Sequence, residues 1–246
     1  MCSSGFSVVR GEAQVASQGW GDGEQRPALR FEGLLVIVGG GPVDIELLKE
    51  LQGEGAGLVA ADGGAKWCAR ASIVPEAIIG DMDSLENREG WAAKTGLIEI
   101  SEQESTDFEK CLYSTSSPLV LGLGLTGGRL DHTLNALDVA ARYAGKRKII
   151  LVDETDIALA VAGDFSFEAM PGARVSIHPV FPIRFLRSRG LAFPLDGVEL
   201  APGKRSGTSN RTETGAFEIV PAGQNKTTPY LVIMGKENLK KILEDY

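Results

Sequence analysis

The 246-residue chain lacks any apolar run near the ~20 residues that a membrane-spanning helix requires, which excludes a helical span. Cysteine is sparse: Cys2, Cys68 and Cys111 lie far apart and show no C-x-x-C spacing. An odd, scattered set builds neither a disulfide framework nor a zinc site and fits a reducing compartment. Histidine is scarcer still, with only His132 and His178, so no Ser/His/Asp or Cys/His nucleophilic centre is expected. Positive charge is in deficit, 25 Lys and Arg against 33 Asp and Glu, for a net charge of −8. Such a chain has no general attraction to nucleic acid or anionic membrane. An anionic ligand would need local Lys or Arg, backbone amides or a metal ion. Residues 1–31 lack a basic region followed by an apolar one, so a cytoplasmic location is expected.

What is present is a hydrophobic content of 43%, enough for an ordinary core in one large or two small domains. Five short apolar runs stand at 34–38, 58–61, 77–79, 97–100 and 119–121. They end, in order, in Gly39-Gly40-Gly41-Pro42, Asp62-Gly63-Gly64, Gly80-Asp81-Met82-Asp83-Ser84, a Glu-rich stretch closing with Ser105-Thr106-Asp107, and the segment 122–131. Runs of this length bounded by Gly and Asp read as buried parallel strands, whose carboxyl ends form the ligand crevice of an open α/β sheet. Helix-like segments at 43–51, 64–71, 106–114 and 133–143 alternate with them, as βαβ units require. Residues 1–30, rich in Gly, Ser, Gln and Glu, read as a mobile tail, and 31–146 as the α/β domain with a mainly parallel open sheet. From 147 to 246 the texture changes to short strand-like runs at 148–152, 157–161, 174–180, 216–220 and 230–234. These predict a smaller all-β, sandwich-like domain, closed by a short helix within 236–246.

Three motifs carry chemistry. In Gly80-Asp81-Met82-Asp83-Ser84, two carboxylates two residues apart after a strand can aim at one hard cation, although a solvated turn with a capping Asp would look the same. Ser105-Thr106-Asp107-Phe108-Glu109-Lys110 reads as a helix start, with Ser or Thr capping and Asp and Glu in the first turn, which suffices to explain it; alternatively Asp107 could join a metal and Lys110, one turn later, meet a phosphate. In the segment 122–132, glycines free backbone amides, Arg129 suits phosphate oxygens and Asp131 can cap the next helix, an anion cradle at a helix N-terminus. Gly39-Gly40-Gly41 is no Rossmann fingerprint and Pro202-Gly203-Lys204-Arg205 is no Walker loop.

In their order along the chain, Asp62-Gly63-Gly64-Ala65, Gly80-Asp81-Met82-Asp83-Ser84, Gln103-Glu104-Ser105-Thr106-Asp107 through Lys110, Gly127-Gly128-Arg129-Leu130-Asp131-His132 and Gly207-Thr208-Ser209-Asn210 resemble thiamine pyrophosphokinases over residues 34 to 235. The resemblance implies a homodimer with active sites near the subunit interface, Mg²⁺ as cofactor, and transfer of the terminal diphosphate of ATP to thiamine. It implies Asp81, Asp83 and Asp107 as metal carboxylates, with Asp62 beside them near metal or substrate. Catalysis would rest on these four and Arg129. ATP would meet Gly40, Thr106, Lys110, Gly127, Gly128, Arg129, Asp131 and His132, and the thiamine pyrimidine would meet Ser209 and Asn210. No Trp lies in the second domain, where Phe193, Phe217 or Tyr230 would have to supply an aromatic platform. Glu102-Gln103-Glu104 stands where some relatives have Asp-Gln-Asp. A pterin pyrophosphokinase, a haloacid-dehalogenase-like phosphatase and a non-catalytic nucleotide sensor remain alternatives on the motifs.

Overall fold

The computed structural model describes Val8, Val9 and residues 28–246. The expected tail falls mainly outside these residues. Of its last members, Leu29 and Arg30 belong to a strand, Leu29–Phe31, that pairs with Val8–Val9 and Thr115–Ser116. Two compact units follow one another, the first ending at Ala136 and the second Leu137–Tyr246. Among the described residues no helix is long and apolar enough to cross a membrane.

The first unit holds five parallel strands, β1 (Leu34–Val38), β2 (Gly57–Ala61), β3 (Ala77–Gly80), β4 (Gly96–Glu99) and β5 (Leu119–Leu123), in the order β5-β1-β2-β3-β4. Parallel neighbours need crossovers, here α1 (Ile45–Gly53), α2 (Ala65–Ala71), α3 (Arg88–Ala92) and α4 (Asp107–Ser114). Burial explains the continuous apolar runs: β2 and β5 are buried at every position and β1 at all but its first. The chain steps outward from β1 to β4 and then returns to β5 on the far side of β1. The β1/β5 junction is therefore the switch point where a crevice opens at the carboxyl ends. Both glycine-rich loops begin there and are stitched together, Gly39 N donating to Leu123 O at 2.7 Å and Gly41 N to Gly124 O at 2.7 Å.

Two local readings need correction. The helix read at 133–143 begins three residues earlier, as α5 (Leu130–Tyr143), so Asp131 and His132 lie in its first turn. The short α3 gave no periodic signal, and its N-cap position, Asn87, is left-handed (φ 54°) with no side-chain cap.

The second unit is all-β apart from its ends. Its strands are β6 (Lys148–Val152), β7 (Asp156–Ala162), β8 (Phe165–Glu168), β9 (Arg174–Pro179), β10 (Ile183–Arg189), β11 (Gly207–Arg211), β12 (Ala216–Pro221) and β13 (Pro229–Gly235). One antiparallel set runs β11-β9-β13-β7-β6, and another runs β8-β12-β10 with Glu199–Leu200 at its edge. Phe185 of β10 meets Tyr230 of β13 edge-on with centroids 5.4 Å apart, both fully buried, so side chains of the two sets share one core. The sandwich expectation is met, and α6 (Leu239–Glu244) is the predicted terminal helix.

Candidate active site

Asp62 is the first residue after β2 and opens a 3₁₀ turn, Asp62–Gly64, that leads into α2. Its backbone is left-handed (φ 39°), as is that of Met82 (φ 64°) in the loop after β3. Such conformations are unfavourable for non-glycine residues and persist where the surroundings over-determine them. Gly80, the last residue of β3, makes the approach of these loops feasible. A Cβ there would lie 2.7 Å from Asp62 Cβ and 2.9 Å from Asp107 Oδ1. With bare backbone at that point, one carboxylate oxygen from each of Asp62, Asp81 and Asp107 falls within 4.8 Å of the others.

Three carboxylates so close repel one another, and the fold compensates in part. Lys110, a fully buried ammonium one turn into α4, lies 3.3 Å from Asp107 Oδ1 and 3.9 Å from Asp81 Oδ2. Gln103 Nε2 donates to Asp81 Oδ2 at 2.9 Å, Asp83 N to Asp81 Oδ1 at 3.2 Å, and Ser84 N to Asp62 Oδ2 at 3.0 Å. The Gln103 bond leads in holding the Asp81 carboxyl below its usual range. Burial raises Asp107, against the pull of Lys110. Burial also pushes Asp62 up to about 6, opposed by the Ser84 amide and reinforced by the neighbouring carboxylates. Asp62 Oδ1 is buried with no hydrogen-bond partner among the described residues. An all-oxygen donor set with one orphaned oxygen and excess negative charge fits a hard divalent cation.

The trio differs from the one expected in that Asp62 belongs to it and Asp83 stands outside. Alternation along an extended chain would aim Asp81 and Asp83 at one point, but the left-handed Met82 between them breaks that alternation. Asp83 accepts from the Ser84 hydroxyl at 2.9 Å and stays close enough to bear on the carboxyls of Asp62 and Asp81. Thr106 occupies the N-cap position of α4 without capping it. Its hydroxyl donates instead to Asn135 Oδ1 at 2.9 Å, tying α4 to α5. Gln103 and Ser84, which contact the trio directly, were missed as site residues although both lie inside the motifs.

The second cluster is the glycine-rich loop after β5. Arg129 and Asp131 form a two-point pair, Nε to Oδ1 at 3.1 Å and Nη2 to Oδ2 at 2.6 Å, and both side chains are exposed. Asp131 also accepts from His132 N at 3.0 Å, and its pairing with Arg129 holds its carboxyl below the usual range. Gly127 is left-handed (φ 75°), and the site of a Gly128 Cβ would lie 3.3 Å from Gly41 Cα. Gly40 faces open space.

In the second unit Asn210 is buried and its amide is engaged. It accepts from Phe193 N at 3.0 Å and Arg211 N at 2.9 Å, and donates to Phe193 O at 2.7 Å. Ser209 is left-handed (φ 59°), its amide bound to Ser176 Oγ at 3.0 Å. Of the three candidate aromatics, Phe217 (3% exposed) and Tyr230 (0%) are core residues, whereas Phe193, held by Asn210, is 60% exposed.

Residues 48–152, which include both acidic loops, match the family model described as thiamin pyrophosphokinase, catalytic domain. That segment is similar to the catalytic domain of thiamin pyrophosphokinases. Thiamine pyrophosphokinase 1 of Oryza sativa subsp. japonica is 29% identical over 169 residues, 61% of this chain and 64% of that protein. Thiamin pyrophosphokinase 1 of Caenorhabditis elegans is 28% identical over 174 residues, 63% of this chain and 71% of that protein. The match thus spans less than two thirds of the rice relative's length. In fold, the chain is similar to thiamin pyrophosphokinase from Geobacillus thermodenitrificans (TM-score 0.69, 22% identity, 82% of this chain and 97% of that one). It is also similar to the Candida albicans thiamin pyrophosphokinase (TM-score 0.72, 15% identity, 83% and 90%).

Proposed function

We propose that the protein is an enzyme that transfers the terminal diphosphate of ATP to the hydroxyl of thiamine, yielding thiamine diphosphate and AMP. The observation that carries this reading is the convergence of Asp62, Asp81 and Asp107 within 4.8 Å at the carboxyl end of the parallel sheet. Mg²⁺ would be held by these three, with Asp83 beside them, and when bound would neutralise charge on the polyphosphate. Such a transfer needs little covalent help from the protein. It needs the hydroxyl held in line, the triphosphate clamped and the departing AMP stabilised.

The chain's own groups suit these tasks. Arg129 offers two parallel N–H groups, now spent on Asp131, that match phosphate oxygens equally well. Gly40, Gly127 and Gly128 leave room for close approach of polyphosphate, with Thr106 and His132 on the flanking helices. Lys110, among the carboxylates, would limit their repulsion and stand ready to meet a phosphate. In the second unit Phe193 offers the flat exposed face for a thiamine ring and Ser209 a hydroxyl beside it in sequence to Asn210, which acts by bracing Phe193. The family resemblance supports a homodimer with active sites near the subunit interface, and the composition supports a cytoplasmic setting.

The test is incubation of the purified protein with ATP, Mg²⁺ and thiamine, with products identified by mass spectrometry. AMP and thiamine diphosphate are expected. ADP with thiamine monophosphate would overturn attack at the β-phosphorus, and unchanged thiamine would overturn the choice of acceptor.

A further inference from the structure

The loop joining β4 to α4 is closed around a single carboxylate. Glu102 Oε2 accepts from Glu104 N at 2.7 Å and Ser105 N at 3.0 Å. Glu102 Oε1 accepts from the Ser105 hydroxyl and from the Tyr113 hydroxyl at 3.0 Å. Two donors are backbone amides of the loop itself and one comes from α4, so the carboxylate fixes both the loop's curl and its attachment to the helix. Gln103 sits inside that curl, between Glu102 and Glu104. It is exposed, and a free glutamine of this kind samples many rotamers. Here its amide reaches Asp81 Oδ2 at 2.9 Å. The groups bound to Glu102 are distinct from those that hold the Asp81 carboxylate, among them Gln103, the Asp83 amide and Lys110.

We infer that Glu102 is a positioning residue that acts through Gln103: by curling the loop it delivers the Gln103 amide to Asp81 and so sets the carboxylate for a divalent cation. The inference rests on the cation site of the proposed function. It does not depend on which acceptor the enzyme uses. Outer-shell groups that orient a ligand typically change metal affinity by about 10- to 100-fold when removed. A chain of action through one intermediate has a signature that simple stapling of a loop lacks, because removing the intermediate silences the group behind it.

The experiment measures Mn²⁺ binding by the electron paramagnetic resonance of free Mn²⁺, without nucleotide or thiamine, with thermal unfolding followed in parallel. The proteins are the wild type, Glu102→Ala, Gln103→Ala and the double variant. Gln103→Ala is expected to weaken Mn²⁺ by about tenfold and Glu102→Ala to approach that loss, with the double variant no worse than Gln103→Ala alone. Glu102→Gln should retain the wild-type affinity, since its carbonyl can serve the two amides and its NH₂ can donate to the two hydroxyls. Multiplying losses in the double variant, or unchanged Mn²⁺ binding in Glu102→Ala, would overturn the inference. If Glu102→Ala does not fold, Tyr113→Phe takes its place in the same cycle: a loss absorbed by Gln103→Ala upholds the inference, and a multiplying or absent loss overturns it. The absorbed loss in a protein that makes no thiamine diphosphate would uphold the inference and sink the proposed activity. A wild type that makes thiamine diphosphate yet binds no Mn²⁺ would do the reverse.

Discussion

The acidic cluster and the arginine-bearing loop occupy the same unit and both present charged side chains, yet their polar atoms are settled in opposite ways. Asp62 is 1% exposed, crowded by two further carboxylates within 4.8 Å, and keeps one oxygen without a partner. Arg129 and Asp131 are exposed and satisfy each other through two hydrogen bonds. The first arrangement is held against its own repulsion by the packing of the strands beneath it, and a bound cation would relieve it. The second is an exposed pair of the sort that contributes little to folding, so under the proposed function a phosphate would exchange for Asp131 at small cost. One region is preorganised, the other is switchable.

The contrast can be tested most forcefully at Asp81. Asp81→Asn should lower turnover by about 10²- to 10³-fold while circular dichroism reports an intact fold, because a charged oxygen at the reaction centre is lost. A near-wild-type rate would remove the metal assignment. Next in size is the cost of ionising Asp62. Its carboxyl ionises near 3.8 in the unfolded chain and at about 6 in the folded one. The ion-free protein therefore loses stability as pH rises through that window, with the full cost present above it. Asp62→Asn should stabilise the ion-free protein at pH 7 by up to about 3 kcal/mol in urea unfolding, with no gain left below pH ~4. An equal effect at both pH values would mean that the crowding is not electrostatic.

At the switchable region the effects should be smaller. Arg129→Ala is expected to raise the KM for ATP by about tenfold and leave the KM for thiamine unchanged, as loss of a charge-assisted contact would. The reverse pattern would mean that the cradle serves the acceptor. Asp131→Ala should leave the melting temperature unmoved, since the pair it breaks is exposed. A clear drop in melting temperature would show that the loop is as preorganised as the cluster.

Much of the first unit was readable because burial on both faces forces unbroken apolar runs. Residues 34–38 are the observed β1 to the residue, and Gly and Asp mark where each buried strand must stop. In the second unit β10 went unread, since four of its seven residues, Arg184, Leu186, Arg187 and Arg189, are exposed and a bulge interrupts its alternation. At the site, Asp81, Asp83 and Asp107 were legible as acidic residues at strand ends, with Asp62 expected beside them. Asp62 and Met82 are left-handed where Asp62 comes within 4.8 Å of Asp81 and Asp107, and backbone dihedrals leave no trace in a list of residue types. Asn210 shows a contact of the same kind: its amide engages the backbone of Phe193, 17 residues away, which no local pattern indicates.

Local chemistry was enough to specify a parallel α/β unit followed by a β-sandwich, and to place acidic and glycine-rich loops at strand ends, because hydrophobic periodicity and turn propensity act over a few neighbouring residues. Which carboxylates meet, where Lys110 is buried and which aromatic remains exposed were decided only in three dimensions. Residues 62, 81 and 107 come from separate crossovers, and they converge only through the register of adjacent parallel strands and the bare backbone at Gly80 that lets them close.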